Sequence, residues 1–340
     1  MYKLLFITIC VIAVTGCLEN TRFNDLSDTI RPIVIPAPIG DYDDVAWISD
    51  HTFAFLYFPE NPGHNDSNIQ PQLRDYIPII YDAETNSSRQ FPITTTQDCQ
   101  QIWVLTLQRE TSDSLLTLHQ CLITPSKQQQ SLVRSYLSRR EAQLIQVFPP
   151  QFRVRSFTED VYLRNLVIGE ERGGIHDQVY RTNPKNELEL LLPSLQRSAS
   201  PTLSEVSSSL AFIGNETLPK TQDNLFTALL GIGDLLFYPW NLYIAGADGS
   251  QSHIVLTEIK LADTVKWSPV DVRLAFRGEY TGAKGIWILN TTTLTLTRVW
   301  NNLDYYDWSP DGTRLVVLQQ RNVNGKTQGT PVIIDVSAVK

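Results

Sequence analysis

After about residue 30 the chain is a run of short apolar stretches. Gly, Pro, Asn and Asp break it every five to ten residues, with no sustained 3.6-residue period. That pattern predicts strands joined by tight turns. Near the C-terminus it takes a definite form at Trp308-Ser309-Pro310-Asp311-Gly312-Thr313-Arg314-Leu315-Val316-Val317. An aromatic closes a strand, Ser-Pro ends it, Asp-Gly supplies a turn tolerant of positive φ, and an apolar strand runs back. The same sentence stands 41 residues earlier, at Trp267-Ser268-Pro269-Val270-Asp271-Val272-Arg273-Leu274-Ala275-Phe276.

A fixed period near 40 with strands only is the signature of a β-propeller blade. The spacing from Trp267 to Leu274 and from Trp308 to Leu315 recurs from Leu203 to Leu210, which places a degenerate copy there. The strands expected for successive blades are 44–49, 52–57, 76–81 and 89–93; then 99–105, 115–121, 132–137 and 144–148; then 152–157, 161–168, 178–181 and 187–192. Next come 201–204, 209–213, 241–245 and 253–257, then 265–267, 274–276, 286–289 and 294–297, and last 305–308, 314–319 and 331–336. The last set is one strand short, and residues 30–39 are a spare strand ahead of the first. Pairing 30–39 with 331–336 closes the ring and leaves no open edge. The fold class expected is all-β, a six-bladed β-propeller closed by an N-terminal strand over residues 30–340, with seven blades as the alternative if 125–190 hides an extra set.

Composition changes little in this picture. With 340 residues, 42% of them hydrophobic, the chain can bury a sizeable core, and a net charge of −8 with no basic run argues against nucleic acid. The first residues change more. Lys3 gives a positive start, and residues 4–14 form an apolar run too short to span a membrane. Val14-Thr15-Gly16-Cys17 then resembles the lipobox of bacterial lipoproteins. The resemblance implies a signal peptide over 1–16, cleavage before Cys17 and lipidation of that residue. It places the protein in the bacterial cell envelope, outside the cytoplasm and joined to a membrane through its N-terminal lipid. Residues 17–29 are polar and aperiodic and read as a tether of at most roughly 45 Å.

Cys10 leaves with the signal peptide, so Cys99 and Cys121 remain as an even pair in an exported chain. Folding the hairpin at residues 110–113 brings position 99 near 121 or 123, which permits a cross-strand disulfide. Two buried thiols are the alternative.

Candidate chemistry is sparse. His51, His64, His119, His176 and His253 never pair at ligand spacing, and there is no HExxH, CxxC or G-x-S-x-G motif. No metal site, cofactor or catalytic residue is expected. The long connections, 59–75, 170–177, 214–240 and 320–330, all join second to third strands, which emerge on one face of a propeller and mark it as a binding face. In the longest, Phe226, Leu229, Leu236, Phe237 and Trp240 form a candidate binding patch; the alternative is a cap packed on the domain. Asp44, Asp98, Asp263 and Asp304 each precede an inner strand and form a candidate acidic channel mouth, able to hold a cation or receive a basic group, or else acting as solvated turn caps.

The Trp-Ser-Pro-Asp-Gly unit followed by an apolar strand resembles the WD40-like propeller repeats of TolB-type periplasmic proteins. The full motif occurs once, at 308–312, and with Val270-Asp271 in place of Asp-Gly at 268–271. The resemblance implies a rigid scaffold that binds protein partners or small ligands, and no reaction. The function expected is therefore a membrane-tethered, non-enzymatic propeller binding a protein or envelope ligand. The alternative is a propeller enzyme acting on glycans or another envelope polymer with carboxylates at the channel mouth.

Overall fold

The computed structural model describes residues 23–38, 40–59, 77–91, 99–124, 127–139, 141–148, 154–159, 167–173, 176–182, 187–204, 206–216, 239–323 and 326–339. All regular structure among them is β-strand. Two short strands come first, β1 (Asn24–Asp25) and β2 (Ile33–Val34). Antiparallel groups follow in chain order: β3 (Gly40–Ser49), β4 (Thr52–Pro59), β5 (Ile77–Asp82) and β6 (Ser87–Gln90), then β7 (Gln101–Arg109), β8 (Ser114–Thr124), β9 (Lys127–Tyr136) and β10 (Glu141–Val147). Next are β11 (Val154–Glu159), β12 (Val167–Gly173), β13 (His176–Thr182) and β14 (Leu188–Leu190), then β15 (Arg197–Leu203), β16 (Ser209–Asn215), β17 (Trp240–Gly246) and β18 (His253–Trp267). The last are β19 (Arg273–Tyr280), β20 (Ala283–Asn290), β21 (Thr295–Trp300), β22 (Tyr305–Trp308), β23 (Arg314–Val323) and β24 (Lys326–Asp335).

The repeat spacing fixes the hairpin register. Leu203 pairs with Leu210, Trp267 with Leu274 and Trp308 with Leu315. Strand β18 serves two groups. Its first half pairs with β17 and its second with β19, and the left-handed residues Glu258 (φ 61°) and Leu261 (φ 54°) bend it between them.

The first strand of each group touches the next. The series runs from β22 to β3, β7, β11, β15 and β18. It closes where Tyr306 and Trp308 of β22 donate to the carbonyls of Thr264 (3.3 Å) and Lys266 (3.0 Å) of β18. Inner strands such as β19 and β23 are therefore buried on both faces, and strand alternation splits each of them between two cores. Leu274 and Phe276 pack toward Ala211, Ile213 and Leu242, while Ala275 between them packs toward Tyr306, Trp308 and Leu315. On β23, Leu315 and Val317 join that second core, and Val316 and Leu318 face Trp47, Phe53 and Phe55 instead.

Three expectations need correction. The connections at 170–177 and 320–330 are not loops. Strands β12 and β13 pair out to Gly173 and His176, and β23 and β24 pair out to Val323 and Lys326, so ladder pairing covers most of both stretches. The second strand of the third group, expected at 161–168, runs on to Gly173 over 167–173, and 161–166 lie outside the described residues. Its polar run Glu170-Glu171-Arg172 hides it, because backbone pairing needs no apolar side chain. The tether is shorter than expected, since residues 23–30 are docked on the sheets: β1 lies parallel to β21, with Asn24 opposite Thr297 and Asp25 opposite Arg298.

The N-terminal segment also reaches β24. Ile33 and Val34 pair antiparallel with Ile333 and Val332, and Ile35 N donates to Pro331 O at 2.9 Å. The chain then passes Gly40 opposite Gly329 into β3. A Cβ on Gly329 would stand 2.9 Å from the Tyr42 ring, so this crossing requires glycine.

Candidate functional site

The ring of first strands encloses a cavity of about 430 Å³ with walls from β3, β7, β15, β18 and β22. Its polar side chains come from the repeat itself. Lys266 and Asp307 occupy the position just before the Trp in two successive copies, and Thr202 holds the equivalent place before Leu203; all three line the cavity. Lys266 Nζ lies 3.1 Å from Asp307 Oδ1 and 5.9 Å from the centroid of the Tyr306 ring. Asp307 Oδ2 accepts from Trp47 N at 2.8 Å, so one carboxylate joins three neighbouring sheets.

Asp44 and Asp263, placed at the channel mouth from the sequence, both line the cavity. Asp44 Oδ1 accepts from Val45 N at 2.8 Å, and Oδ2 accepts from Leu107 N at 2.8 Å and from the Thr106 hydroxyl. Burial pushes the Asp44 carboxyl above the usual carboxylate range, against the opposing pull of Lys266 and those hydrogen bonds. Asp263 takes a two-pronged ion pair from Arg277, with Nε at 2.6 Å from Oδ1. The Arg277 guanidinium also lies 4.2 Å from the Tyr305 ring centroid and donates to Leu303 O at 3.3 Å. Burial works against its charge, but the Asp263 carboxylate more than offsets this, so Arg277 stays cationic. Burial, then the charge of Asp43, pushes the Tyr305 hydroxyl up to about 12, and Tyr305 enters the cavity as a neutral donor.

The other sequence candidates lie elsewhere. Asp304 is outside the cavity lining, buried, and accepts from Trp300 Nε1 at 2.7 Å and Gln320 N at 3.3 Å. Asp98 lies outside the described residues, as do Phe226, Leu229, Leu236, Phe237 and Cys17. Trp240 is buried on β17, forms part of the cavity wall, and stacks under the Arg197 guanidinium at 3.8 Å. Cys99 and Cys121 form a disulfide with Cα atoms 5.5 Å apart. His119 is a core residue: its Nε2 is 2.8 Å from Thr117 Oγ1, and burial pushes its pKa down to about 4.

Among the described residues, no group of three or more His, Cys, Asp or Glu is arranged to hold a metal ion. The cavity cations Lys266 and Arg277 were not singled out from the sequence. Their signal is positional: Lys266 precedes a motif Trp, and Arg277 lies one residue past the apolar strand that follows it.

No protein-family model and no curated protein matches the sequence. Solved structures do. An oligogalacturonate lyase in complex with manganese is similar over 85% of this chain and 75% of its own, at 10% identity and a TM-score of 0.53. A luciferin-regenerating enzyme is similar over 90% of this chain and 97% of its own, at 7% identity and a TM-score of 0.50. TolB from Acinetobacter baumannii is similar over 86% of this chain at 11% identity and a TM-score of 0.48; this chain spans 54%, about half, of that protein's length. At such identities the likeness speaks of fold and leaves activity open. Together with the ring of antiparallel groups around a cavity, the likeness to the first two makes the chain a β-propeller.

Proposed function

We propose that the protein is a lipid-anchored, non-catalytic propeller of six four-stranded blades that binds a protein or envelope ligand outside the cytoplasm. The blades are β3–β6, β7–β10, β11–β14, β15 to the first half of β18, the second half of β18 to β21, and β22–β24 completed by β2. Cys17 is the lipidated residue and the membrane attachment. The ligand meets the face where second strands connect to third strands. There β23 and β24 extend as a ribbon beyond Leu318, the last residue paired with β22. Phe226, Leu229, Leu236 and Phe237 are its apolar contribution.

The observation that carries the non-catalytic reading is the state of three of the four aspartates that line the cavity, Asp44, Asp263 and Asp307. Asp263 is paired with Arg277 and Asp307 with Lys266. Both oxygens of Asp44 accept hydrogen bonds from β3 and β7. A glycan-cleaving pair needs one carboxyl free to donate a proton and another free to act as base or nucleophile. Asp44 and Asp307 act as clips between blades, and Asp263 is held by the arginine of its own hairpin.

The raised Asp44 favours a second reading, in which it is the general acid of an envelope-polymer enzyme. One experiment separates them. The intact lipidated protein and its Asp44→Asn variant are cross-linked in envelopes, and envelope polymers are incubated with each and sized. The binding reading expects the same cross-linked partner with both proteins and no polymer shortening. Polymer cleavage by the wild type that the variant loses would overturn it.

A further inference from the structure

The segment that joins the anchor to the propeller is fixed along the rim. Strand β1 lies beyond β21, the outermost strand of its blade. Phe23 packs edge-on against Trp287 with centroids 4.8 Å apart, Asp25 pairs with Arg298 at 2.6 Å, and Leu26 N donates to Arg298 O at 2.9 Å. Leu26 and Ile30 pack on the core between this blade and the next. Strand β2 then forms the outer strand of that next blade against β24. From Phe23 to Val34 the chain therefore runs along the outside of two neighbouring blades.

This leaves little slack. Phe23 is six residues from Cys17, a stretch that spans at most about 20 Å. A lipid on Cys17 must hold this rim near the bilayer. The same rim carries an unusual surface. Ile33 (67% exposed) and Val34 (57%) are the most exposed large hydrophobic residues described, and they are adjacent, with Arg31 exposed beside them. Successive side chains of a strand point to opposite sides. Ile33 and Val34 thus flank the outermost strand as a short apolar ridge. A cation two residues away suits anionic headgroups.

We propose that the rim formed by residues 23–34 is the membrane-facing surface of the protein, with Ile33 and Val34 entering the interfacial layer of the bilayer. The inference rests on the lipid anchor at Cys17. It sets the propeller on edge, with the axis of the central cavity parallel to the membrane and both of its mouths open to solution. The partner is a lipid surface, because the anchor's reach ends at Phe23 on the rim that carries this ridge.

The test uses the full lipidated protein in vesicles of phosphatidylethanolamine and phosphatidylglycerol carrying a lipid-borne nitroxide. Cys99 and Cys121 are bonded to each other and Cys17 is acylated, so one introduced cysteine takes the fluorophore. Val34→Cys is compared with Val206→Cys, which is 50% exposed in the hairpin between β15 and β16, away from the rim. Quenching should be at least threefold stronger at 34 than at 206. Mass spectrometry of the mature N-terminus reports the anchor separately. Acylated protein quenched equally at both positions overturns the rim alone. A mature N-terminus without acyl chains overturns the anchor and the rim with it.

Discussion

The blades holding residues 267–276 and 308–317 and the blade β11–β14 solve the same problem by different means. In the first two, the repeated sentence docks each blade onto both neighbours. Trp267 Nε1 donates back to Thr202 O at 3.2 Å and Trp308 Nε1 back to Lys266 O at 3.0 Å, the same repeat position in each case. Forward, Arg273 lies 5.2 Å from the Trp308 ring centroid and Arg314 lies 5.1 Å from that of Trp47. Ser268 N and Ser309 N close the two hairpins onto Arg273 O and Arg314 O at 2.8 and 2.9 Å, with both serines fully buried. Blade β11–β14 has no such sentence. There Val179 N donates to Ser198 Oγ of the next blade at 2.9 Å, and β11, β12 and β13 all pack against β15. The motif is thus a latch between blades, which the β11–β14 blade lacks.

Cutting the latch tests this most severely. Arg273 donates to three backbone carbonyls, those of Gly312 (2.6 Å), Val336 (3.1 Å) and Val339 (3.2 Å), and pairs with Asp271 at 2.8 Å. Arg273→Ala strands those carbonyls in a buried site and should cost about 3–5 kcal/mol. The counterpart in the blade without the motif is Arg181, whose exposed pair with Glu189 spans 3.9 Å. Arg181→Ala should cost less than about 1 kcal/mol. Denaturant unfolding of both variants with the disulfide intact decides it. Equal midpoints would mean that the motif arginine is not a latch.

What could be read in advance follows the same division. Where the sentence occurs, spacing alone places the hairpins, because an aromatic, a Ser-Pro stop and a returning apolar strand leave one register. The pair Cys99 and Cys121 was legible from the hairpin count and is bonded. Where the sentence is absent or has run out, apolar content misleads: Glu170 to Arg172 form strand, and so do Gln320 to Asn322 beyond the last motif. Those residues satisfy backbone pairing alone. The cavity was half legible. Asp44 and Asp263 precede inner strands as expected, but Lys266 reaches Asp307 across blades, 41 residues along the chain, and Arg277 meets Asp263 across the β18–β19 hairpin, a pairing that no motif marks. The pairing of 30–39 with 331–336 was legible as the missing fourth strand, and it occurs at Ile33 and Val34. The docking of β1 on β21 was hidden, because a two-residue strand has no periodicity to detect.

The blade β7–β10 stands between the two extremes, lacking the sentence but carrying the disulfide. Cys99 precedes β7 and Cys121 lies in β8, with Ile102 opposite Cys121. Replacing both by serine frees a loop of 22 residues and should cost about 3 kcal/mol. The loss should fall on this blade, so limited proteolysis should cut near residues 99–124 before the motif blades. First cuts elsewhere would show that the disulfide does not substitute for the latch.

The smallest effect sharpens the comparison inside the latch itself. Asp311 Oδ1 accepts from Ser309 Oγ at 2.6 Å and Thr313 N at 3.1 Å, and Oδ2 accepts from Thr313 Oγ1 at 2.9 Å. Ser309 foremost, then Thr313, holds this carboxyl below the usual carboxylate range, and burial offsets only part of that. Because the folded-state pKa is the lower one, the stabilisation is complete above the unfolded value of about 4 and disappears as pH falls through the folded value. Asp311→Asn keeps one acceptor oxygen but cannot ionise. The side chain is half exposed, so the change should cost only about 0.5–1 kcal/mol at pH 7. The gap between wild type and variant should close as pH falls from about 4 toward 2. Unfolding curves across that range check it. A gap that stays constant with pH would mean that Asp311 acts through the shape of the turn, where Gly312 sits at φ 66°, and not through its charge.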